Sequence, residues 1–126
     1  RHEKSTKEVI KFLSKQKKIK EILYPIKKNS KDYKNWKKYY SGATGLLSLV
    51  IKSKSKNSVY KFVNSLELFG IGYSWGGFES LAVYQDIQRE FNKYQDKNLH
   101  IVRLHIGLED PKDLIVDIRN SLKHIK

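Results

Sequence analysis

The run Val102-Arg-Leu-His-Ile-Gly-Leu-Glu-Asp110 places a single arginine, Arg103, among residues that otherwise read as a buried strand. A buried guanidinium is costly unless an anion pairs with it, and arginine grips a planar carboxylate with two prongs where lysine offers a point charge. The fold must therefore cover this strand and still leave an anion beside it. A second run, Phe69-Gly-Ile-Gly-Tyr-Ser-Trp-Gly-Gly-Phe-Glu-Ser-Leu81, interrupts apolar residues with four glycines and a Ser74-Trp75 pair. That glycine content suits a backbone bent for close approach to another group. The two runs together point to a site. The structural alternative for Arg103 is an ion pair with Glu109 or Glu79 that ties strand to loop.

The remaining elements follow from hydrophobic spacing. Val9, Ile10 and Leu13, with Phe12 beside them, predict an amphipathic helix from Glu3 to about Gln16, with Ser5 and Glu8 at capping-box spacing. Ile19–Leu23 reads as a strand closed by Tyr24-Pro25, and Lys27–Tyr40 as a loop with one short helical turn. Gly45–Ile51 reads as a buried strand. Ser55 or Asn57 can cap a helix whose apolar face is Val59, Phe62, Val63 and Leu66. After the glycine bend come a third strand at Glu79–Val83, a polar connection at Asp86–Asn98 and a fourth strand at Ile101–Ile106. Asp110 then caps a helix with Pro111 at its first position and a stripe of Leu114, Ile115, Ile118, Leu122 and Ile125. Strands here lack one-for-one helical crossovers. The expected class is α+β, a small, mostly antiparallel sheet of four strands covered by helices.

Residues 1–126 read as a single domain, large enough for one core. No apolar stretch approaches the roughly 20 residues of a membrane-spanning helix. The absence of cysteine excludes disulfides, thiolate nucleophiles and cysteine-ligated zinc, and an intracellular location is compatible with it. There is also no methionine, and the chain opens on Arg1-His-Glu-Lys4, so it is expected to be a piece of something longer. The net charge of +13 is uneven: residues 1–61 hold 18 Lys/Arg against 4 Asp/Glu, and residues 62–126 hold 8 against 9. Lys31, Lys34, Lys37 and Lys38 interleave with Tyr33, Trp36, Tyr39 and Tyr40, the combination a single-stranded nucleic acid would use. A basic nucleic-acid-binding module is therefore an alternative function. Against it, lysine outnumbers arginine 22 to 4, and solvated lysine faces with aromatics docked on the sheet are the simpler reading.

Gly70, Gly72, Gly76 and Gly77 miss the dinucleotide-binding spacing by one residue, and Ser41-Gly-Ala-Thr-Gly45 lacks the ending of a phosphate loop. His2, His100, His105 and His124 show no metal-ligand spacing, and a lone strand histidine such as His105 reads as a packed or rim residue.

The two opening runs closely resemble the C-terminal domain of the pyridoxal-phosphate-dependent enzymes of Cys/Met metabolism. Arg1-His-Glu-Lys4, Trp36-Lys37, Ser41-Gly-Ala-Thr-Gly-Leu46 and Glu109-Asp-Pro-Lys-Asp-Leu-Ile115 also look like family segments, so the resemblance covers essentially the whole chain. The Tyr73-Ser-Trp75 triplet leans toward the cystathionine beta-lyases, since gamma-type members usually carry leucine at the position of Trp75. The resemblance implies the small domain of a fold-type I enzyme, a mostly antiparallel sheet with helices on one side. It implies that Arg103 holds the α-carboxylate of an amino-acid substrate such as cystathionine. Ser74 and the backbone around Trp75 would line the same pocket, with Ser74 helping to position the cofactor-bearing lysine. That lysine and the rest of the cofactor site would belong to a large domain upstream of Arg1. A carbon-sulfur lyase, cytoplasmic and homotetrameric when complete, is the implied whole. A gamma-lyase, a gamma-synthase or a non-catalytic relic fragment are the alternatives within this frame.

Overall fold

The computed structural model describes residues 1–86 and 96–126, so all but the ends of the connection expected at Asp86–Asn98 lies outside the described residues. Four α-helices and five strands are present among them: α1 His2–Leu13, β1 Ile19–Leu23, α2 Tyr33–Tyr39, β2 Leu46–Lys52, α3 Lys56–Asn64, β3 Gly70–Ile71, β4 Leu81–Gln85, β5 Leu99–His105 and α4 Pro111–Ser121. A 3-10 turn, Leu122–His124, extends α4. The strands form one sheet in the order β1-β2-β5-β4-β3, antiparallel except for the short β3–β4 pair.

Alternation along the strands gives the sheet two unlike faces. Leu47, Leu49 and Ile51 of β2, Val102 and Leu104 of β5, Ile22 of β1 and Ala82 of β4 belong to one buried cluster. Val9, Ile10 and Leu13 of α1, Val59, Phe62 and Val63 of α3, and Leu114 and Ile118 of α4 complete it. Each large side chain fully buried there contributes about 1.5–3 kcal/mol. The opposite face carries the intervening residues, including Ser48 paired to Arg103, and Arg103 paired in turn to Val83. Helix α2 contributes no buried residue.

The expected caps hold at α3 and α4. Ser55 accepts from the Ser58 N–H, and Asp110 accepts from the Lys112 N–H ahead of Pro111. The expected capping box at Ser5 does not form: the helix starts at His2, and the Ser5 N–H already bonds to the Arg1 carbonyl at 3.1 Å. Lys27–Tyr40 holds a seven-residue helix where one turn was expected. The sheet has five strands rather than four, because Gly70–Ile71 pairs in parallel with Leu81–Ala82. Two residues, one of them glycine, carry no readable strand period. The third expected strand begins at Leu81 instead of Glu79, since Ser80 is spent on contacts to the end of β5 described below.

Tyr24 is 3 % exposed and donates its hydroxyl to the Thr44 carbonyl at 2.8 Å. Burial pushes its phenol up to about 12. A raised folded value means that this contribution is intact below about pH 10 and is lost as pH rises toward about 12. Denaturant midpoints measured from pH 8 upward are therefore expected to show Tyr24→Phe less stable than the parent at pH 8, with the gap closing above pH 10. A gap independent of pH contradicts the assignment.

Candidate functional site

Four residues at alternate positions in and beyond β5 hold the glycine bend. Arg103 donates from its guanidinium to the Tyr73 carbonyl and lies over the Tyr73 ring, 5.9 Å from its centroid. His105 meets the Gly76 N–H and the Gly77 carbonyl through Nε2, each at 3.1 Å. The Gly107 N–H donates to Ser80 Oγ at 2.9 Å. The Glu109 carboxylate accepts from both the Ser80 N–H and the Ser80 hydroxyl at 2.8 Å. Between the last two, the Leu108 N–H donates to the Phe78 carbonyl at 2.7 Å. A period of two from 103 to 109 aims these groups at one side of the sheet, while Val102, Leu104 and Ile106 enter the core.

Glycine is required twice along this seam. A Cβ on Gly107 would stand 2.2 Å from the Phe78 carbonyl oxygen and 2.6 Å from the Glu79 backbone. Gly76 has φ of +89°, in the left-handed region that side chains rarely adopt.

Arg103 is half-buried rather than buried, and it pairs with neither Glu109 nor Glu79. Glu109 is committed to Ser80, so the ion-pair alternative does not hold. Arg103 is instead one of the residues that line a cavity of about 790 Å³ over the β1–β2 side of the sheet. Lys20, Lys27 and Lys31 also line it, against the acids Glu21 and Asp32, which leaves an excess of positive charge around Arg103. One guanidinium edge is used by Tyr73, and four further N–H donors belong to the same group. An anion entering the cavity meets a two-pronged binding group already oriented from a strand.

Ser74 and Trp75 follow Tyr73 directly, so Arg103 and the bend come together as the sequence led us to expect. Their side chains are exposed, and the bend and its flank also expose apolar side chains: Ile71 is 66 %, Tyr73 72 %, Trp75 57 % and Phe78 74 % exposed. The signal for the other seam residues was present at i, i+2 spacing from Arg103, in His105, Gly107 and Glu109. His105 is indeed packed, at 2 % exposure, but it is packed against the bend itself.

The aromatic-lysine segment divides. Trp36 is half-buried, donates its indole N–H to the Gly42 carbonyl at 2.9 Å and lies against Tyr33, whereas Tyr39 and Tyr40 are exposed. The central ring of a stacking platform is thus occupied. Among the described residues no cluster of His, Asp and Glu could hold a metal ion, and no helix is long and apolar enough to cross a membrane.

The fold is thus α+β, with a strand-borne arginine beside a bend that is anchored at each end. Residues 1–123 match the model of the Cys/Met metabolism PLP-dependent enzymes, and the chain belongs to that family, which depends on pyridoxal phosphate. The chain is 37% identical over 123 residues to a cystathionine beta-lyase of Bordetella avium, covering 96% of this chain and 31% of that protein. It is 36% identical over 129 residues to an L-alanine/L-glutamate racemase of Wolbachia pipientis, covering 99% and 32%. A crystal structure described as an O-acetylhomoserine (thiol)-lyase of Campylobacter jejuni, containing a pyridoxyl-lysine monophosphate, superposes with a TM-score of 0.76 at 27% identity, over 96% of this chain and 27% of that one. The chain spans about a third of the length of the curated relatives it matches.

The described residues do not fit attachment of that cofactor. A lysine that carries it must be desolvated enough to lose its proton readily, yet every described lysine is exposed except Lys27, which is half-buried.

Gly107→Ala is expected to lower the unfolding free energy by about 1–3 kcal/mol, because the bend backbone must move to admit a methyl group. Urea denaturation checks this. An unchanged midpoint contradicts the close seam between Gly107 and Phe78.

Proposed function

We propose that residues 1–126 form the C-terminal substrate-binding domain of a cystathionine beta-lyase-like enzyme, with Arg103 holding the substrate's α-carboxylate and Ser74 and the backbone at Trp75 lining the same pocket. The observation that carries this is the placement of Arg103, half-buried on β5, lining a cavity rich in lysine, with its guanidinium bonded to the carbonyl just before Ser74. The relatives' names support it from another side. Cystathionine, alanine, glutamate and O-acetylhomoserine are all amino acids, so an α-carboxylate is what those reactions share.

The reaction is the elimination of cystathionine across its α and β carbons, with water, to homocysteine, pyruvate and ammonia. Pyridoxal phosphate supplies the electron sink for that chemistry. Arg103 fixes the carboxylate at two points and so sets which bond at the α-carbon stands across the cofactor ring. Ser74 borders the place where the cofactor-bearing lysine approaches. That lysine belongs to a large domain of the same protein, which also covers the exposed apolar side chains of Ile71, Tyr73, Trp75 and Phe78. The complete protein is a cytoplasmic homotetramer.

In the complete enzyme, Arg103→Lys is expected to lower kcat/KM for cystathionine by about 10- to 150-fold, the equivalent of losing a hydrogen bond to a charged group, with cofactor absorbance retained. An unchanged kcat/KM removes the carboxylate assignment. The 126-residue chain alone, incubated with pyridoxal phosphate and dialysed, is expected to retain none and to leave cystathionine intact. Stoichiometric retention of the cofactor contradicts the division of labour.

A further inference from the structure

We propose that His105 is a positioning residue that holds the Ser74-Trp75 pair in place while Arg103 is engaged with a carboxylate, an inference that rests on the carboxylate-binding reading of Arg103. The bend from Tyr73 to Gly77 has two anchors among the described residues. Arg103 takes the Tyr73 carbonyl, on the near side of Ser74, and His105 takes Gly76 and Gly77, on the far side of Trp75. No atom stands within 4 Å of where a Cβ would sit on Gly76 or Gly77, so packing does not fix this part of the bend. A carboxylate that docks on the guanidinium edge now held by the Tyr73 carbonyl displaces that carbonyl. From that moment His105 is the anchor that remains beside Ser74-Trp75.

The ring is built for that task. His105 is 2 % exposed, and its ring lies 5.3 Å from that of His2, which is itself tied through Nδ1 to the Ile106 carbonyl at 2.8 Å. The imidazole therefore cannot swing away. Nε2 meets both the Gly76 N–H and the Gly77 carbonyl, and Nδ1 also lies 3.5 Å from the Gly76 nitrogen. With the proton on Nδ1, Nε2 accepts from the Gly76 N–H, and with the proton on Nε2 it donates to the Gly77 carbonyl. Either tautomer holds the glycine pair. A leucine fills a similar volume and offers neither bond, while glutamine restores a donor and an acceptor.

The test uses the complete, cofactor-loaded protein with L-cystathionine, and Trp75 labelled as 5-fluorotryptophan, its resonance assigned by Trp75→Phe. His105→Leu is expected to raise KM about tenfold, as for one lost hydrogen bond to the bend, with kcat within about threefold. It is expected to shift the Trp75 resonance and not that of Trp36, and His105→Gln should recover most of both effects. A folded His105→Leu protein with unchanged KM and an unmoved Trp75 resonance overturns the proposal. So does an equal loss in the leucine and glutamine variants with Trp36 displaced as well, which marks general damage. Should His105→Leu not fold, scalar coupling across the His105 hydrogen bond to Gly76 or Gly77 in the parent protein decides the matter, and its absence at both overturns the proposal. Failure of the carboxylate reading is seen separately, as an Arg103→Lys variant with unaltered KM beside a His105→Leu variant whose Trp75 resonance still moves.

Discussion

Every second residue from Arg103 to Glu109 grips the bend over Tyr73–Ser80, and the candidate site exists because that grip comes from a strand whose other side is buried in the core. Arg103, His105, Gly107 and Glu109 meet the bend at its beginning, middle and end. Val102, Leu104 and Ile106, the residues between them, are fully buried. Displacing the strand to loosen the bend would expose three large apolar side chains, each worth about 1.5–3 kcal/mol of burial. The bend is thus anchored to a core strand by hydrogen bonds, though it lies on the surface and includes Gly76 and Gly77.

That arrangement separates two tasks that a small fold must reconcile. Stability comes from the face of the sheet under α1, α3 and α4, where a hydrophobic cluster is buried. The proposed recognition lies on the opposite face, where Arg103 stands beside Ser48 and Val83 and helps to line the cavity. A guanidinium half-buried in this way is less hydrated than one in water and binds an anion more strongly, without the full desolvation cost of a buried charge. Groups carried on a strand are also held more closely than groups on a free loop. The exposed aromatic residues of the bend thus stand on a base tied to the core strand.

Much of this was legible in the residues. The strand around Arg103, the capped helices at Ser55 and Asp110, and the joining of the arginine to the glycine bend all follow from period, caps and glycine content. The resemblance to the Cys/Met metabolism enzymes also rested on those two runs. What stayed hidden has physical causes. A two-residue parallel strand at Gly70–Ile71 is defined only by its partner, and no local pattern marks it. Ser5 and Glu8 matched a cap by spacing, but a helix that begins at His2 has already satisfied the Ser5 amide. Glu109 read as a partner for Arg103 by charge, whereas the close approach at Gly107 delivers it to Ser80. His105 read as simple packing, since sequence alone does not say what a buried ring packs against.

The central claim is that Arg103 receives an amino acid's carboxylate. Its most direct test is a crystal structure of the complete protein with cofactor and an unreactive amino acid bound. The expected result is a paired contact, both carboxylate oxygens at about 2.7–2.9 Å from the Arg103 guanidinium, with Ser74 at the border of the same pocket. A carboxylate bound elsewhere, with Arg103 still turned only to the Tyr73 carbonyl, would contradict the account.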